Sequence, residues 1–501
     1  MSRFYATTPI YYVNAEPHLG HAYTTIVGDA LSRWHRLLGD EVLYLTGTDE
    51  HGLKIQQAAD AAGLAPKDFA DQIAPKFADA WQRLDIANDD FIRTTEERHR
   101  AAVRELLQRC YDAGDIELDT YRGKYCVACE EYFTEDELLE GSLCPVHKRP
   151  VDDFEEENYF FRLSRFEDRL LEHYRTHPNA IVPEFRANEA LGLIRSGLRD
   201  FSVSRTSLSW GIPLPWDPAH VAYVWFDALT NYLAAVGFGD GTDRYQDWWP
   251  VNYHLIGKDI IRHHCVYWPA MLMSAGVELP RGWAVGGWLL VDGEKMAKSS
   301  GNVVTPLDLV DIVGVDGFRY YVLADTAYGN DGDFSYDGLV GRYNADLANN
   351  LGNLAARVAT VVAKKCGGVG PAPSADSALA EIATAVVADT TRRWDEVAPH
   401  RALEATWSLI HAANSYLETH EPWKMEPGAA VDAVMGDALE ALRLVTILAS
   451  PALPGTAQVL WERLGMTGAV TDQRIGPDTE WGGYLGGVNV TKGDPLFPRI
   501  T

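Results

Sequence analysis

The chain has 501 residues, 47% of them hydrophobic and 23% charged, a composition typical of a folded globular protein of about three domains. Its formal net charge of −27 argues against general binding of polyanions, although a local basic patch can still bind phosphate. The sequence shows no signal peptide and no apolar run long enough to span a membrane, so we expect no membrane association. Three of the six cysteines are isolated, which predicts a reduced, cytoplasmic protein.

The first 55 residues predict the opening of a doubly wound parallel sheet. Residues 4–13 are rich in aromatic and β-branched residues, as in a buried strand. Apolar residues then recur every three or four positions from Tyr23 to Leu38, which predicts a helix that Gly39 ends. A second apolar strand follows at 41–46. This βαβ unit is typical of a Rossmann-like α/β domain.

The rest of the chain divides into an insertion, the remainder of the sheet and a helical part. Cysteine-containing, acidic segments interrupt the pattern over about 121–153, and strand-like segments return at 222–226, 254–256 and 283–290. From about Ala345 onward the pattern is almost wholly helical, apart from a loop at 367–373. We therefore predict an α/β domain in two halves (1–115 and 222–290), a connective insertion (116–221), a loop region (291–345) and an α-helical domain (346–501).

A His-Leu-Gly-His sequence lies where the first predicted strand leads into the first helix. The unpaired N–H groups and the positive dipole end of a helix N-terminus form a natural phosphate site. His18 and His21 are three positions apart, so both imidazoles can reach one phosphate group, and Gly20 lets a nucleotide approach the backbone. The alternative is a polar helix cap with two surface histidines.

A second candidate phosphate-binding segment, Val-Asp-Gly-Glu-Lys-Met-Ala-Lys-Ser-Ser, begins at Val291. Lys295 and Lys298 are three positions apart among small residues, a pattern suited to a loop that closes two cations over a polyphosphate. Taken alone, such a segment is more often a solvated basic turn. Combined with His-Leu-Gly-His in a βαβ unit, it predicts nucleotide chemistry.

The predicted insertion carries two cysteine-containing knuckles. Cys126 and Cys129 form a Cys-x-x-Cys pair, and Cys144 and His147 form a Cys-x-x-His pair further along. Three cysteines and one histidine form a typical ligand set for one structural zinc ion. Scattered core thiols or a redox-active Cys-x-x-Cys pair are the alternatives, but the redox pair would leave the second knuckle unexplained. Because the insertion is small and acidic, we expect zinc binding to contribute much of its folding energy.

These motifs together resemble those of class I aminoacyl-tRNA synthetases, and in detail those of the methionyl-tRNA synthetase family. The resemblance runs from Phe4 to about Trp423. The family loop usually reads Lys-Met-Ser-Lys-Ser, so Ala297 departs from it by one hydroxyl group, while both lysines and Ser299 remain. Five further segments resemble the family in the same order: Thr48–Gly52, Ser209–Pro213, Tyr223–Ala228, Gly257–Ile260 and Trp268–Leu272.

The resemblance implies activation of L-methionine by ATP with Mg²⁺ and transfer of methionine to tRNA(Met), including the initiator tRNA. It implies a catalytic domain, the α/β part, followed by a lysine-loop and stem-contact region and an anticodon-binding helical domain. The catalytic residues it implies are His18, His21, Lys295 and Lys298. The ATP-binding residues it implies are His18, Gly20, His21, Gly257, Asp259, Lys295, Lys298 and Ser299.

The resemblance also implies a methionine pocket formed by Ile10, Tyr12, Asp49, Trp225 and His264. Asp49 would bind the substrate ammonium group. Tyr12 and Trp225 would form aromatic walls, which suit a polarizable thioether, and His264 would lie near the end of the side chain. The alternatives from the residues alone are plain core aromatics and, for Asp49, a loop cap.

In the helical domain, the resemblance implies that Asn353, Arg357 and Trp423 read the CAU anticodon. Asn353 and Arg357 would share a helix face and form hydrogen bonds, and Trp423 would stack on a splayed base. An ordinary packed helix bundle is the alternative.

Other functions stay open from the sequence. Synthetases for leucine, isoleucine and valine usually carry larger editing insertions, and a cysteine enzyme would use zinc to bind its substrate. A small-molecule adenylyltransferase would also use His-x-Gly-His but is generally far shorter. A zinc-dependent nucleic-acid-binding module without catalysis conflicts with the acidic charge and the lysine loop. No basic, barrel-like appendage follows the helical domain, so we expect a monomer.

Overall fold

A seven-stranded parallel sheet organises the first part of the chain, and a helix bundle forms the last part. The structure is a computed structural model that describes residues 2–126, 131–133, 138–140, 142–145, 148–206, 208–291, 293–295 and 304–501. Its strands are β1 (Arg3–Thr7), β2 (Tyr11–Tyr12), β3 (Glu41–Asp49), β4 (Asp90–Arg93), β5 (Ile116–Cys126), β6 (Glu131–Phe133), β7 (Asp152–Phe161), β8 (Ile181–Val182), β9 (Phe201–Ser202), β10 (Ser204–Arg205), β11 (Val221–Ala222), β12 (Tyr253–Gly257), β13 (Trp283–Gly286), β14 (Leu289–Val291), β15 (Glu294–Lys295), β16 (Gly332–Phe334), β17 (Val369–Gly370) and β18 (Val488–Asn489).

The helices complete the inventory of the described residues. They are α1 (Leu19–Leu38), α2 (Leu53–Ala62), α3 (Pro66–Arg83), α4 (Glu97–Asp112), α5 (Glu167–Thr176), α6 (Glu184–Arg195), α7 (Val224–Leu229), α8 (Asn231–Ala234), α9 (Arg244–Trp248), α10 (Trp268–Ser274), α11 (Pro306–Ala324), α12 (Tyr336–Arg342), α13 (Asn353–Lys365), α14 (Ala378–Asp395), α15 (Pro399–His420), α16 (Ala429–Ala449) and α17 (Pro454–Arg463). Two π-helical segments, His263–Tyr267 and Tyr343–Gly352, precede α10 and α13.

The order of the parallel strands creates a crevice at one edge of the sheet. β1 lies between β3 and β12, β4 pairs with the far side of β3, and β13 and β8 extend the sheet beyond β12. The chain thus leaves β1 toward one side and later returns to build the other side. In doubly wound sheets, ligands bind at the carboxyl ends of the strands where the order reverses. The predicted α/β class with a following helical domain is confirmed.

Helix α1 agrees with the helix predicted from the spacing of apolar residues. Its apolar residues Ile26, Leu31 and Trp34 are buried. The helix starts after the N-cap residue His18 and ends at Gly39, whose φ of 87° is left-handed. Glycine adopts that conformation at little cost, which explains why the helix ends there.

The single strand predicted over 4–13 is wrong, because the structure divides it into β1 and β2. Both pair with β3, but the register shifts by one residue between Thr7↔Leu45 and Tyr11↔Thr48. Pro9 lies in the interruption and has no N–H to offer the ladder. The interruption places Tyr11 and Tyr12 beside the carboxyl end of β3, opposite Thr48 and Asp49.

Two other predicted strands also differ from the structure, because their outcome depends on contacts with distant parts of the chain. The apolar segment 222–226 is only the end of β11 followed by helix α7, because a short apolar run fits either state. The segment 283–290 is two strands, since only β13 joins the central sheet. A Cβ at Gly287 between them would lie 2.0 Å from the carbonyl oxygen of Asn330, so only glycine permits this close approach of the two backbones. The range predicted as an insertion holds a four-stranded sheet, β6-β5-β7-β9, but also contributes β8 to the central sheet.

The helical part packs directly on the α/β part. One continuous hydrophobic core contains buried residues of α1, α11, α13, α15 and α16. The last segment, after α17, departs from the almost wholly helical prediction. It is irregular apart from a short helical turn at Val470–Asp472 and β18, and it is anchored where Glu440 accepts backbone N–H bonds from Gly482, Gly483 and Tyr484. Among the described residues, no helix has the length and apolar character needed to cross a bilayer.

Candidate active site

The two histidines of His-Leu-Gly-His lie in the first turn of α1, at the carboxyl edge of the sheet. Their rings stack with centroids 3.6 Å apart and planes 24° apart. The N–H of Gly20 donates to Nδ1 of His18 at 3.1 Å, and the N–H of His18 donates to Nδ1 of His21 at 3.3 Å. The two side chains therefore cap the helix, as the polar-cap alternative requires.

This capping also fixes what the two rings can offer a ligand. Because each Nδ1 accepts a backbone N–H bond, a neutral ring carries its hydrogen on Nε2 as a donor. Burial, and to a smaller extent the neighbouring His18, holds the pKa of His21 well below its ordinary value of 6.5. At neutral pH His21 is thus an uncharged hydrogen-bond donor at a helix N-terminus, which suits a phosphate oxygen.

Both flanks of the lysine loop are attached beside this helix. Strand β14 packs against α1 and pairs with β15, where Lys295 lies opposite Leu290. On the other flank, the N–H of Leu19 donates to the carbonyl oxygen of Val304 at 3.0 Å. The segment between these attachments includes Lys298 and Ser299, which lie outside the described residues, so their roles stay predictions.

Gly257 is the last residue of β12, the strand adjacent to β1, and Asp259 follows it by two residues. A Cβ at Gly257 would lie only 2.7 Å from Oδ1 of Asp259, so glycine permits the observed position of that carboxylate. Asp259 is exposed at the same edge of the sheet as the histidines, where its oxygens suit a sugar hydroxyl.

The predicted ammonium-binding carboxylate and one predicted aromatic wall are neighbours. Tyr12 of β2 lies directly across from Asp49, the last residue of β3. Asp49 is only 3% exposed. Because a buried carboxylate favours a cationic partner, Asp49 is suited to a substrate ammonium group. Ile10 is half-buried in the interruption before Tyr12.

His264 lies in the π-helical turn that follows β12. Its Nδ1 donates to the carbonyl oxygen of Ile260 at 3.1 Å, so its Nε2 accepts from the hydroxyl of Tyr232 at 2.7 Å. Burial lowers the pKa of His264 to about 4, so the ring is neutral at physiological pH. Burial raises the pKa of Tyr232, and the Asp49 carboxylate adds slightly to that increase, so the hydroxyl that His264 binds lies within electrostatic reach of the end of β3.

Trp225 is positioned by a residue that sequence reasoning missed. Its half-buried ring stacks on His263, with centroids 3.7 Å apart and planes 13° apart. The π-helical turn therefore presents His263 to Trp225 and His264 to Tyr232. Because π-helical insertions are frequent at functional sites, this turn was a structural signal that the sequence pattern alone did not show.

A second missed group holds the end of β3 in place. Arg93 donates to both carboxylate oxygens of Glu50, at 2.5 and 3.0 Å, and the hydroxyl of Thr95 donates to the same carboxylate at 2.6 Å. The indole N–H of Trp210 donates to the backbone carbonyl of Glu50 at 2.6 Å. The residue next to Asp49 is therefore fixed from three sides.

Two of the four predicted zinc ligands can be located. Cys126 ends β5, and both Cys126 and Cys144 are buried in one small cluster with Phe133. Cys129 and His147 lie outside the described residues. In the described part of the chain, no set of three or more potential metal ligands comes together. Two buried thiols from separate segments in one cluster nevertheless fit a thiolate-rich zinc site.

Two of the three predicted anticodon residues are in contact. The guanidinium carbon of Arg357 lies 5.0 Å from the ring centroid of Trp423, and Arg357 forms a 2.6 Å ion pair with Glu418. Trp423 is 36% exposed. Asn353 is exposed one turn before Arg357 and lines a cavity of about 670 Å³ between α13 and residues 490–497.

The parallel sheet, the stacked histidines at its reversal point and the adjoining lysine segment define a class I aminoacyl-tRNA synthetase. A family model described as tRNA synthetases class I (M) matches residues 4–153 and 147–359. A methionine–tRNA ligase of Streptomyces coelicolor is 46% identical over 99% of this chain and 96% of its own length. A methionine–tRNA ligase of a Nostoc species is 43% identical over 99% of this chain and 97% of its own length.

Solved structures agree with this result. The methionyl-tRNA synthetase of Mycobacterium tuberculosis in complex with methionyl-adenylate superposes with a TM-score of 0.93 at 42% identity, over 100% of both chains. Its apo form superposes with a TM-score of 0.88 at 38% identity, over 100% of this chain and 99% of that one. The chain belongs to the methionine–tRNA ligase family of class I aminoacyl-tRNA ligases, so the adenylyltransferase and non-catalytic alternatives are wrong.

Proposed function

We propose that this ligase works in two steps in the crevice at the carboxyl edge of the sheet. A carboxylate oxygen of methionine first attacks the α-phosphorus of ATP in line, which forms methionyl-adenylate and releases pyrophosphate. A ribose hydroxyl of the 3′-terminal adenosine of tRNA(Met), initiator tRNA included, then attacks the adenylate carbonyl carbon, and AMP leaves. The single observation that carries the proposal is the stacked His18–His21 pair at the N-terminus of α1.

The chemistry of the first step explains the residue types. Negative charge spreads over the phosphoryl oxygens in the transition state, so positioned donors and cations supply most of the catalysis. His18 and His21 would donate from their Nε2 atoms, and Lys295 and Lys298 would bind the departing pyrophosphate. Mg²⁺ bound to ATP would neutralise phosphate charge. Gly20, Gly257, Asp259 and Ser299 would complete the ATP site.

The same crevice offers a pocket for methionine. Asp49 would bind the ammonium group, and Tyr12, Trp225 and Ile10 would surround the side chain. His264, held neutral by burial, would lie near the thioether without placing a charge beside it. Asp49 ends β3, Tyr12 ends β2 and Ile10 precedes it, while Trp225 lies in α7 and His264 in the π-helical turn after β12.

We also propose one structural zinc ion per chain, bound by Cys126, Cys129, Cys144 and His147. Purified protein is expected to contain about one zinc per chain, and Cys144→Ser to lose most of it, because three ligands rarely hold structural zinc. Elemental analysis checks this. Cys366→Ser, which changes a cysteine outside the cluster, is the control and should keep its zinc. A zinc content that does not change in Cys144→Ser would contradict the site.

For tRNA selection, we propose that Asn353, Arg357 and Trp423 contact the anticodon. Stacking of a base on an aromatic side chain contributes about 1–3 kcal/mol. Trp423→Ala is therefore expected to lower kcat/KM for charging of a tRNA(Met) transcript by about 10- to 100-fold, without changing methionine activation.

Aminoacylation of transcripts with and without the CAU anticodon tests the whole proposal. The unaltered chain should charge the CAU transcript and discriminate strongly against an anticodon-substituted one. Trp423→Ala should lose that discrimination, whereas Leu485→Ala, at an 86% exposed position of the same domain, should retain it. Equal charging of both transcripts by the unaltered chain would contradict anticodon reading.

The remaining features of the proposal follow from this activity. Charging of tRNA serves translation, so we place the protein in the cytoplasm. Because catalytic and anticodon-binding residues are all supplied by one chain, we propose that it acts as a monomer. Light scattering at assay concentration checks this, and a dimer would contradict it.

A further inference from the structure

Asp227 is a fully buried carboxylate for which the proposed chemistry has no direct use. Its Oδ2 accepts a hydrogen bond from Nδ1 of His51 at 2.7 Å, and its Oδ1 accepts one from Nε2 of His99 at 2.5 Å. The side chains of His51, His99 and Asp227 are at most 2% exposed. No solvent can substitute for a bond that this group loses.

The three residues come from three separate parts of the chain. His51 follows β3 and lies two residues after Asp49. Asp227 is in α7, two residues after Trp225, and His99 is in α4. The hydrogen bonds thus connect the strand end that carries the proposed ammonium-binding group with the helix that carries a proposed pocket wall.

The Asp227 carboxyl group is charged in this cluster. Burial alone would raise the pKa of Asp227, but His51 and His99 outweigh that effect and lower it to about 2. Asp227 is therefore anionic at physiological pH, and both ring nitrogens act as donors. Charge-assisted hydrogen bonds of this kind are shorter and stronger than neutral ones.

His51 is held on its other side as well. The ring of Trp210 meets the ring of His51 edge-on, with centroids 5.2 Å apart. His51 thus lies between Trp210 and Asp227 and cannot move without displacing one of them, because buried side chains are closely packed.

We propose that Asp227 is a positioning residue for methionine: through its bonds to His51 and His99 it fixes the separation between Asp49 and Trp225. The inference rests on the proposed function, because it assumes that Asp49 and Trp225 bind methionine. A residue that sets this separation affects methionine binding and leaves unchanged the binding of ATP, which is assigned to other groups on α1, the lysine loop and the end of β12.

The test is Asp227→Asn in methionine-dependent ATP–pyrophosphate exchange. The amide has nearly the same shape but presents an NH₂ group to one of two histidine donors and carries no charge. The KM for methionine is expected to rise about tenfold, while the KM for ATP stays within about twofold. If this variant does not fold, His99→Leu removes one of the two bonds and is expected to raise the KM for methionine about threefold.

A matched control separates positioning from general destabilisation. Glu440→Gln makes the same carboxylate-to-amide change at a fully buried ion pair with Arg443 in α16. It should lower thermal stability and leave both KM values unchanged. Equal increases in the two KM values for Asp227→Asn, no increase in either, or the same split in Glu440→Gln would overturn the inference.

Trp225→Ala distinguishes this failure from failure of the proposed function. It should raise the KM for methionine at least as much as Asp227→Asn does. If it leaves the KM for methionine unchanged, the pocket assignment itself is wrong and the inference fails with it. If Trp225→Ala raises the KM and Asp227→Asn does not, only the inference is wrong.

Discussion

The variant His21→Ala is expected to form methionyl-adenylate about 10²- to 10³-fold more slowly than the unaltered chain, because that is the usual cost of removing one positioned donor from a charged transition state. The pKa of His21 is held well below 6.5 by burial, so the ring acts as a neutral donor. Single-turnover adenylate formation measures the effect directly. The KM for methionine should change little, since His21 is assigned to phosphate.

Two observations would contradict this role. One is a rate within about threefold of the unaltered chain. The other is a rate that falls as the pH rises through 6.5, because only a histidine with an ordinary pKa acting as a cation would lose its charge there. His420→Ala, at an exposed position in α15, is the control and should leave adenylate formation unchanged.

Arg319→Met is expected to destabilise the fold by about 3 kcal/mol, the lower end of the usual cost of breaking a buried ion pair, because the buried Asp29 carboxylate keeps only Arg33 as a cationic partner. Arg319 and Asp29 are both fully buried and ion-paired. The guanidinium also donates to the carbonyl oxygens of Leu84, Pro451 and Ala452, so it joins α1, the loop after α3 and the α16–α17 connection. Urea denaturation followed by tryptophan fluorescence measures the loss.

A double variant sharpens this test. Asp29→Asn and Arg319→Met break the same ion pair, so the double variant should lose less stability than the sum of the two single variants. Arg175→Met breaks an ion pair with Glu172 in which both partners are largely exposed, and it should have little effect. If Arg319→Met were as mild as Arg175→Met, the buried pair would not join the two parts of the fold.

Features that depend on nearby residues were predictable from the sequence. Helix α1, its N-cap His18 and its end at Gly39 follow from apolar spacing and capping within about 20 residues. The histidine and lysine motifs were recognisable because each is a short segment with its own chemistry. Only the family resemblance predicted that the two motifs act together, since almost 300 residues separate them in the chain.

Features that depend on distant pairing were not predictable. Asp227 lies 176 residues from His51 and 128 from His99, and no local pattern indicates that they meet. The register shift between β1 and β2 depends on pairing with β3. The strand predicted at 222–226 became helix α7, since a short apolar run carries no decisive period.

Amino-acid-dependent ATP–pyrophosphate exchange, measured with each of the twenty amino acids, tests the central claim most directly. We expect exchange with methionine alone, and strongly reduced exchange in Lys298→Ala because that variant loses a cation over the pyrophosphate. Exchange with a different amino acid would contradict the pocket formed by Asp49 and Trp225. Silence of the folded chain with all twenty would contradict the proposed activation of methionine.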